Sequence, residues 1–351
     1  MAARLILHVG HGKTGTSTVQ NTMRVNSDLL RERCSLNYPG FASNHWLFGR
    51  AFLSPGEYGP IDQASARDGR SPEALDRAAA AAVEGLRADA GRYATHVISS
   101  ELFFHLGRPA LERFKARLDG IGFETSILIY TRNPVDFISS LMNQWVKSGS
   151  KTLAGVDAVD INIKTRIGVF ASLFGRDRLQ VRVYGREHFV NGDLIDDFVA
   201  AVNGAPVDGL QRPRSVNASL SLPALRIADA LNRIAEPKSR ERGPDAYLQE
   251  IAGPTFRAPR RVVEASLAAQ AESLRFLADE FGIRFPDPDL SAFPDEISRV
   301  VPDETVASLV TLLNAQSLKI AELKAKVRAL SRKRQRSVGA VLRSATRKLV
   351  G

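Results

Sequence analysis

Lys13 sits inside the run Gly10-His11-Gly12-Lys13-Thr14-Gly15-Thr16-Ser17-Thr18, and residues of these types in this order suit an anion. The apolar run Leu5-Ile6-Leu7-His8-Val9 before it reads as a buried strand, and Thr16 to about Arg33 reads as a helix. The free N–H groups of a first helical turn point at a ligand, and the helix dipole adds about half a positive charge there. Gly10, Gly12 and Gly15 let the backbone approach closely, Lys13 adds a mobile cation, and Thr14, Thr16, Ser17 and Thr18 add hydroxyl donors. An ATP or GTP P-loop fits poorly, because the Walker A pattern needs glycine six residues before its lysine and that position is Leu7. Nor is there an obvious strand ending in a Walker B acid. A second anion site is foreshadowed by Tyr130-Thr131-Arg132-Asn133-Pro134, followed by Ser140 on the second turn of a helix. A guanidinium fork and a hydroxyl suit a phosphate. Glu101, at the end of the strand Thr95–Glu101, is a candidate general base.

These groups need a scaffold that brings strand ends together. Strands are predicted over the first apolar run, at 95–101, 124–132 and 179–184, with a short one near 35–41. Helices are predicted at 72–91 (Ser71 capping, Pro72 in the first turn), after Pro109, from Pro134 (Asn133 capping), over Leu194–Val202, and at 222–235 and 261–282. Alternating strands and helices imply an α/β fold: a P-loop-type parallel sheet with helices on both faces. Ligands of such sheets bind beyond the strand carboxyl ends, where Gly10–Lys13, Ser100-Glu101, Arg132 and Tyr184 fall. Residues 42–71 are irregular, with His45, Trp46, Phe48, Phe52 and Tyr58. They form either a buried aromatic cluster or the wall of an acceptor pocket.

The order Lys-Thr-Gly-Thr-Ser/Thr after a first strand resembles the 5′-phosphosulfate loop of sulfotransferases that use 3′-phosphoadenosine 5′-phosphosulfate (PAPS). The strand–Arg-x-Pro–helix–Ser layout, Arg132 to Ser140, resembles their 3′-phosphate motif. Tyr184-Gly185-Arg186-Glu187 with Gly192-Asp193-Leu194 and Phe198, and Asn217-Ala218-Ser219-Leu220-Ser221 with Ala224-Leu225, look like segments of bacterial members. The resemblance covers residues 4–235 and lacks the Arg-Lys-Gly loop of many cytosolic members. It implies in-line sulfuryl transfer from PAPS to a hydroxyl or amine, with a carbohydrate or glycolipid as acceptor. Lys13 would neutralise the leaving oxygen, backbone N–H groups from Gly12 to Thr16 would hold the 5′-phosphate, and no metal is demanded. Glu101 resembles a base of carbohydrate-acting members, although Leu102-Phe103-Phe104 stands where they carry Lys-Thr/Ser-Pro. His105 is the second choice of base and His11 the third, while His8 reads as a core residue. The rival readings are a P-loop nucleotide kinase or NTPase, and a non-catalytic nucleotide-binding or scaffold member.

The 351 residues are 44% hydrophobic and 25% charged, an ordinary globular balance. Cys34 is the sole cysteine, so no internal disulfide can form. With no run of eighteen apolar residues, the expectation is a cytoplasmic protein without a membrane span. Residues 321–351 hold ten Lys and Arg against Glu322, so nearly all of the net charge of +10 belongs to this end. The sequence thus divides into a domain at 1–300 and an appendage at 301–351. Val306, Leu309, Leu313, Gln316, Ile320, Leu323, Val327 and Leu330 make a heptad seam for a homo-oligomeric coiled coil or for packing on the chain's own domain. From Ser331 onward, a basic amphipathic helix suits an anionic membrane surface or an acidic polymer; a solvated tail is the alternative. No nucleic-acid partner is expected.

Overall fold

The computed structural model describes residues 3–40, 42–53, 69–213, 219–234, 247–298 and 300–349, with the backbone alone at 317 and 328–349. Five strands, β1 (Ala3–His8), β2 (Leu36–Asn37), β3 (Thr95–Ser99), β4 (Phe123–Arg132) and β5 (Leu179–Tyr184), form one sheet. All pairings are parallel, as the α/β pattern predicts, and the strand order is β2-β3-β1-β4-β5. β1 lies in the middle: Leu7 pairs with Ile98 on one side and Ile127 on the other.

Side chains alternate across a strand, so a parallel strand covered on both faces reads as a continuous apolar run. Leu5, Leu7, Val9, Ile98, Ile127 and Ile129 enter one core with Phe103, Phe114 and Phe170. Ile6, Val97, Leu128 and Tyr130 enter the other with Val19, Met23 and Phe198. The covering helices are α1 (Thr16–Val25), α2 (Ser27–Cys34), α3 (Trp46–Arg50), α4 (Pro72–Asp89), α5 (Arg108–Ile121), α6 (Pro134–Lys147), α7 (Ile163–Phe174), α8 (Leu194–Asn203), α9 (Leu222–Ile234), α10 (Arg260–Phe281) and α11 (Asp303–Leu349). α1, α2 and α8 supply the second core; α4, α5, α7 and α10 supply the first.

The caps act as their residue types require. Ser71 accepts from Ala74 N at 3.3 Å, and Asn133 accepts from Val135 N at 3.0 Å. The single helix expected from Thr16 to about Arg33 is instead two. It breaks at Asn26, whose amide donates to Thr22 O and Gln211 O, each at 2.8 Å, while Gln211 N returns a bond to Asn26 Oδ1 at 2.8 Å. A side chain that pairs with a distant backbone competes with helix continuation.

Two compact units are present. The first, Met1–Met142 with Ala154–Ala218 and Ala258–Glu296, contains the sheet and both cores. The second, Asn143–Leu153 with Ser219–Arg257 and Ile297–Gly351, is knit by polar links to backbone. Asn143 pairs both ways with Leu220 (2.9 and 3.2 Å), Asp229 accepts from Leu153 N at 2.7 Å, and Thr305 donates to Ala252 O at 2.9 Å. On α11 the seam residues Val306, Leu313, Ile320, Leu323 and Val327 are exposed in the single chain. Among the described residues, no helix is long and apolar enough to cross a membrane.

Candidate active site

The loop from Val9 to Gly15 joins the central strand to α1. Gly15 caps α1 in the left-handed region at φ 73°, and Lys13 adopts a left-handed φ of 65° as well. Glycine is required at 15 on two counts. The conformation disfavours any Cβ, and a Cβ there would lie 2.3 Å from Leu194 Cδ2 and 3.1 Å from Tyr184 Cε2. At Gly12 a Cβ would meet nothing within 4 Å, so this side of the loop is open to a ligand. Thr14 is buried and donates to His11 O at 2.8 Å, so its hydroxyl closes the turn and its N–H is the group it presents. Thr16 is buried at the start of α1, Thr18 is half-buried and Ser17 is exposed.

Arg132, from the end of β4, donates from Nη1 to Lys13 O at 3.1 Å. Its guanidinium also lies 5.3 Å from the centre of the Tyr184 ring, at the end of β5. Lys13, Arg132, Tyr184 and Gly15 thus converge on one corner of the sheet edge. Ser140 lies half-buried on α6 and, among the described residues, makes no hydrogen bond to Arg132. The neighbouring Ser139 is engaged, accepting from Ala258 N at 3.0 Å.

Glu101 begins a 3-10 turn, Glu101–His105, that Ser100 caps by accepting from Leu102 N at 3.3 Å. It therefore stands two residues beyond the end of β3, not in the strand. A Cβ on Gly10 would lie 3.3 Å from Glu101 Cβ, so the carboxylate stem packs on the anion loop. The turn anchors itself through Phe103 and Phe104, both buried, which accounts for the apolar Leu102-Phe103-Phe104 after the acid. His105 is exposed at the end of the turn, and partial desolvation and the Arg166 charge push its pKa down.

His11 is 2% exposed, with ring centroids 4.5 Å from Phe137 and 5.5 Å from Phe104. Burial first, then the charges of His105 and Arg132, push it down to about 3, against a smaller opposing backbone hydrogen bond. An imidazole that holds a proton so weakly is a poor base at neutral pH, so His11 ranks behind Glu101. His8 is a core residue, fully buried with Nδ1 2.8 Å from Ser99 Oγ.

Three residues near the site escaped the sequence reading. Gln20 Nε2 lies 3.4 Å, and Asn44 Nδ2 3.3 Å, from Glu101 Oε2. Behind Tyr184, Asp197 is 1% exposed and accepts from Tyr130 OH (2.6 Å), Arg182 Nε (2.8 Å) and Val190 N (3.1 Å), tying β4 and β5 to α8. Gln20 shares a helix with the loop, so helical spacing offered a signal for it. Asn44 lies in an irregular stretch that has no period to read.

Of the aromatic stretch 42–71, Phe48 is core while Trp46 and Phe52 pack against that core; Tyr58 lies outside the described residues. Trp46 also lines a groove of about 610 Å³ with Arg31, Pro39, Leu47, Ala82 and Asp89. Asp193 caps α8, accepting from Ile195 N at 2.8 Å. Asn217 and Ala218 lie outside the described residues.

No protein-family model matches the chain, and no curated protein matches it in sequence. Among solved structures it is similar to a sulfotransferase from Alicyclobacillus acidocaldarius, at 19% identity and a TM-score of 0.33 over 66% of this chain and 93% of that one. It is similar to the sulfotransferase domain from the curacin biosynthetic pathway, at 11% identity and a TM-score of 0.33 over 89% and 98%. It also matches a structure from the PezAT toxin–antitoxin system of Streptococcus pneumoniae, at 13% identity and a TM-score of 0.28 over 68% and 88%. Similarity this low leaves the activity to be read from the site, which joins a glycine-bounded loop, a cation on that loop, a guanidinium and a carboxylate at one edge of a parallel sheet.

Proposed function

We propose that this chain is a sulfotransferase that moves a sulfuryl group from PAPS to a hydroxyl or amine of a carbohydrate or glycolipid acceptor. The observation that carries the reading is the Arg132–Lys13 contact of 3.1 Å, which joins the β4 guanidinium to the anion loop beside Glu101. One cation-bearing loop would suit any phosphate; a second cation from a different strand suits a nucleotide phosphorylated at two places.

The residues fit such a donor. The open side at Gly12 admits a phosphate to the backbone N–H groups from Gly12 to Thr16, with Gly10, Gly15, Thr16, Ser17 and Thr18 shaping that cradle. Arg132 has donors to spare after its bond to Lys13 O and would hold the 3′-phosphate beside the Tyr184 ring, and Ser140 would add its hydroxyl to that phosphate. PAPS supplies an activated sulfuryl group on a phosphate leaving oxygen. Lys13 would neutralise the charge that develops on that oxygen, and Glu101 would take the acceptor proton. Neither role calls for a metal ion. The acceptor class rests on the likeness of Glu101 to the base of carbohydrate-acting sulfotransferases, and the basic end of α11 would hold the protein against anionic lipid.

Calorimetry with 3′-phosphoadenosine 5′-phosphate (PAP) against ATP and GTP tests the reading. PAP is expected to bind more tightly by at least about 1.4 kcal/mol, a factor of ten. Preference for ATP, or no binding of PAP, refutes it.

A further inference from the structure

Glu101 is held by two neutral amides that meet on a single oxygen. Gln20 Nε2 reaches Oε2 at 3.4 Å and Asn44 Nδ2 reaches the same Oε2 at 3.3 Å. The Gln20 amide is fixed from behind, and the backbone that carries Asn44 is anchored to β3. Gln20 is 4% exposed on the second turn of α1, and its Nε2 also donates to Ser99 Oγ at 3.2 Å, a hydroxyl already paired with His8 Nδ1 at 2.8 Å. Asn44 is carried by the segment that His45 ties to the end of β3. His45 N donates to Ser99 O at 2.9 Å, and Ser99 N donates to His45 Nδ1 at 3.1 Å. That bond makes Nδ1 an acceptor, so Nε2 carries the proton and donates it to Pro39 O at 3.0 Å. Burial pushes His45 down to about 4, so the ring stays neutral and the tautomer holds at neutral pH.

We propose that Gln20 and Asn44 are positioning residues that commit Glu101 Oε2 to hydrogen-bond acceptance and reserve Oε1 as the oxygen that takes the acceptor's proton. This rests on the sulfotransferase reading. A side-chain amide N–H can only donate, so an oxygen facing two of them is committed to accepting. The proton arriving from the acceptor therefore adds to Oε1. Gln20 ties the base to α1, the helix that starts at the loop, and Asn44 ties it to the segment that precedes α3. With water as acceptor the step balances: the water oxygen bonds to sulfur, the bond from sulfur to the 5′-phosphate oxygen breaks, Lys13 meets the charge left on that oxygen, and Glu101 Oε1 takes the proton.

PAPS hydrolysis to PAP and sulfate, followed by chromatography, needs no knowledge of the natural acceptor. In the full chain, Asn44→Ala and Gln20→Ala are each expected to lower kcat by about 10- to 100-fold, part of the roughly 10²–10⁴-fold that a positioned general base contributes. KM for PAPS and PAP affinity should stay within about twofold of wild type, as for an interaction used only in the transition state. In a Glu101→Gln background neither alanine substitution should cost anything further, because the group they orient is gone. A second readout is independent of turnover: in amide-proton NMR of the ligand-free protein, Glu101→Gln should shift the side-chain amide signals of both Asn44 and Gln20. Unchanged kcat, a loss carried by KM or PAP affinity, losses that multiply with Glu101→Gln, or unmoved amide signals would each overturn the proposal. If wild type binds PAP without hydrolysing PAPS, the amide signals decide it. Absence of PAP binding sinks the sulfotransferase reading instead, and the amide signals still report whether the triad exists.

Discussion

Gly15→Ala is the sharpest probe of the anion loop, because two separable costs coincide there. The left-handed φ of 73° costs an alanine about 1–2 kcal/mol relative to glycine. The new methyl would also sit 2.3 Å from Leu194 Cδ2 and 3.1 Å from Tyr184 Cε2. Carbon atoms rest at about 3.5–4 Å, so Leu194 must retreat by more than 1 Å from a packed position, an overpacking cost of about 1–3 kcal/mol. Together these come to about 2–5 kcal/mol. With an unfolding entropy of about 2 cal/mol/K per residue, a chain of this size loses about 1–2 °C per kcal/mol, so calorimetric melting should drop by about 3–7 °C. Leu194→Ala removes the closer of the two contacts and leaves the φ cost, so the two substitutions should couple by about 1–3 kcal/mol. Gly12→Ala is the control: its Cβ would meet nothing within 4 Å, so it should melt like wild type while weakening nucleotide binding on the loop's open side. A Gly15→Ala melting point within about 1 °C of wild type, or strict additivity with Leu194→Ala, would refute this account.

Asp197→Ala should destabilise the first unit by about 3–5 kcal/mol in urea titration, because it strands Arg182, Tyr130 OH and Val190 N together. Burial pushes the Asp197 carboxyl up, but the bonds from Arg182, Tyr130 and Val190 N outweigh that and hold it below the usual carboxylate range. Its contribution is therefore whole above the unfolded value of about 4 and fades as pH falls through the lower folded one, so Asp197→Asn should flatten the acid limb of a urea-midpoint profile. Arg132→Ala should weaken PAP binding by about 10- to 100-fold in calorimetry, and Arg132→Lys should not restore it, since a point charge lacks the fork that reaches both a phosphate and Lys13 O. Vesicles containing phosphatidylserine should retain the full chain more than one ending at residue 330, and equal retention would remove the membrane proposal. Light scattering should detect self-association lost on Ile320→Lys, a seam position exposed in the single chain.

Much of the sheet was legible because β1, β3 and β4 are buried on both faces, which leaves apolar runs such as Ile127-Leu128-Ile129-Tyr130 that tolerate few readings. The turns at Gly15 and Asn133 were legible because their conformations restrict residue type. Asn26 was not: it breaks a helix through bonds to Gln211, 185 positions away, and no local pattern encodes a partner that distant. Lys13 and Arg132 stood out as charges at strand ends, yet their contact is fixed by strand order, which spacing along the chain does not contain. Asn44 had no helical or strand period to mark it, and its place beside Glu101 follows from the tie between His45 and β3.

The backbone at Lys13 sets heat tolerance against chemistry at a single codon. A lysine held at φ 65° carries about 1–2 kcal/mol of conformational strain that glycine would not. Lys13→Gly is thus among the simplest ways to toughen this loop, and it removes the cation proposed to meet the leaving group. Selection for thermal stability alone would drift toward that exchange, and under the proposed role of Lys13 it would return a sturdier protein without turnover, whereas selection for turnover keeps the strain. A library screened first for melting point and then for activity should find these two properties opposed at position 13.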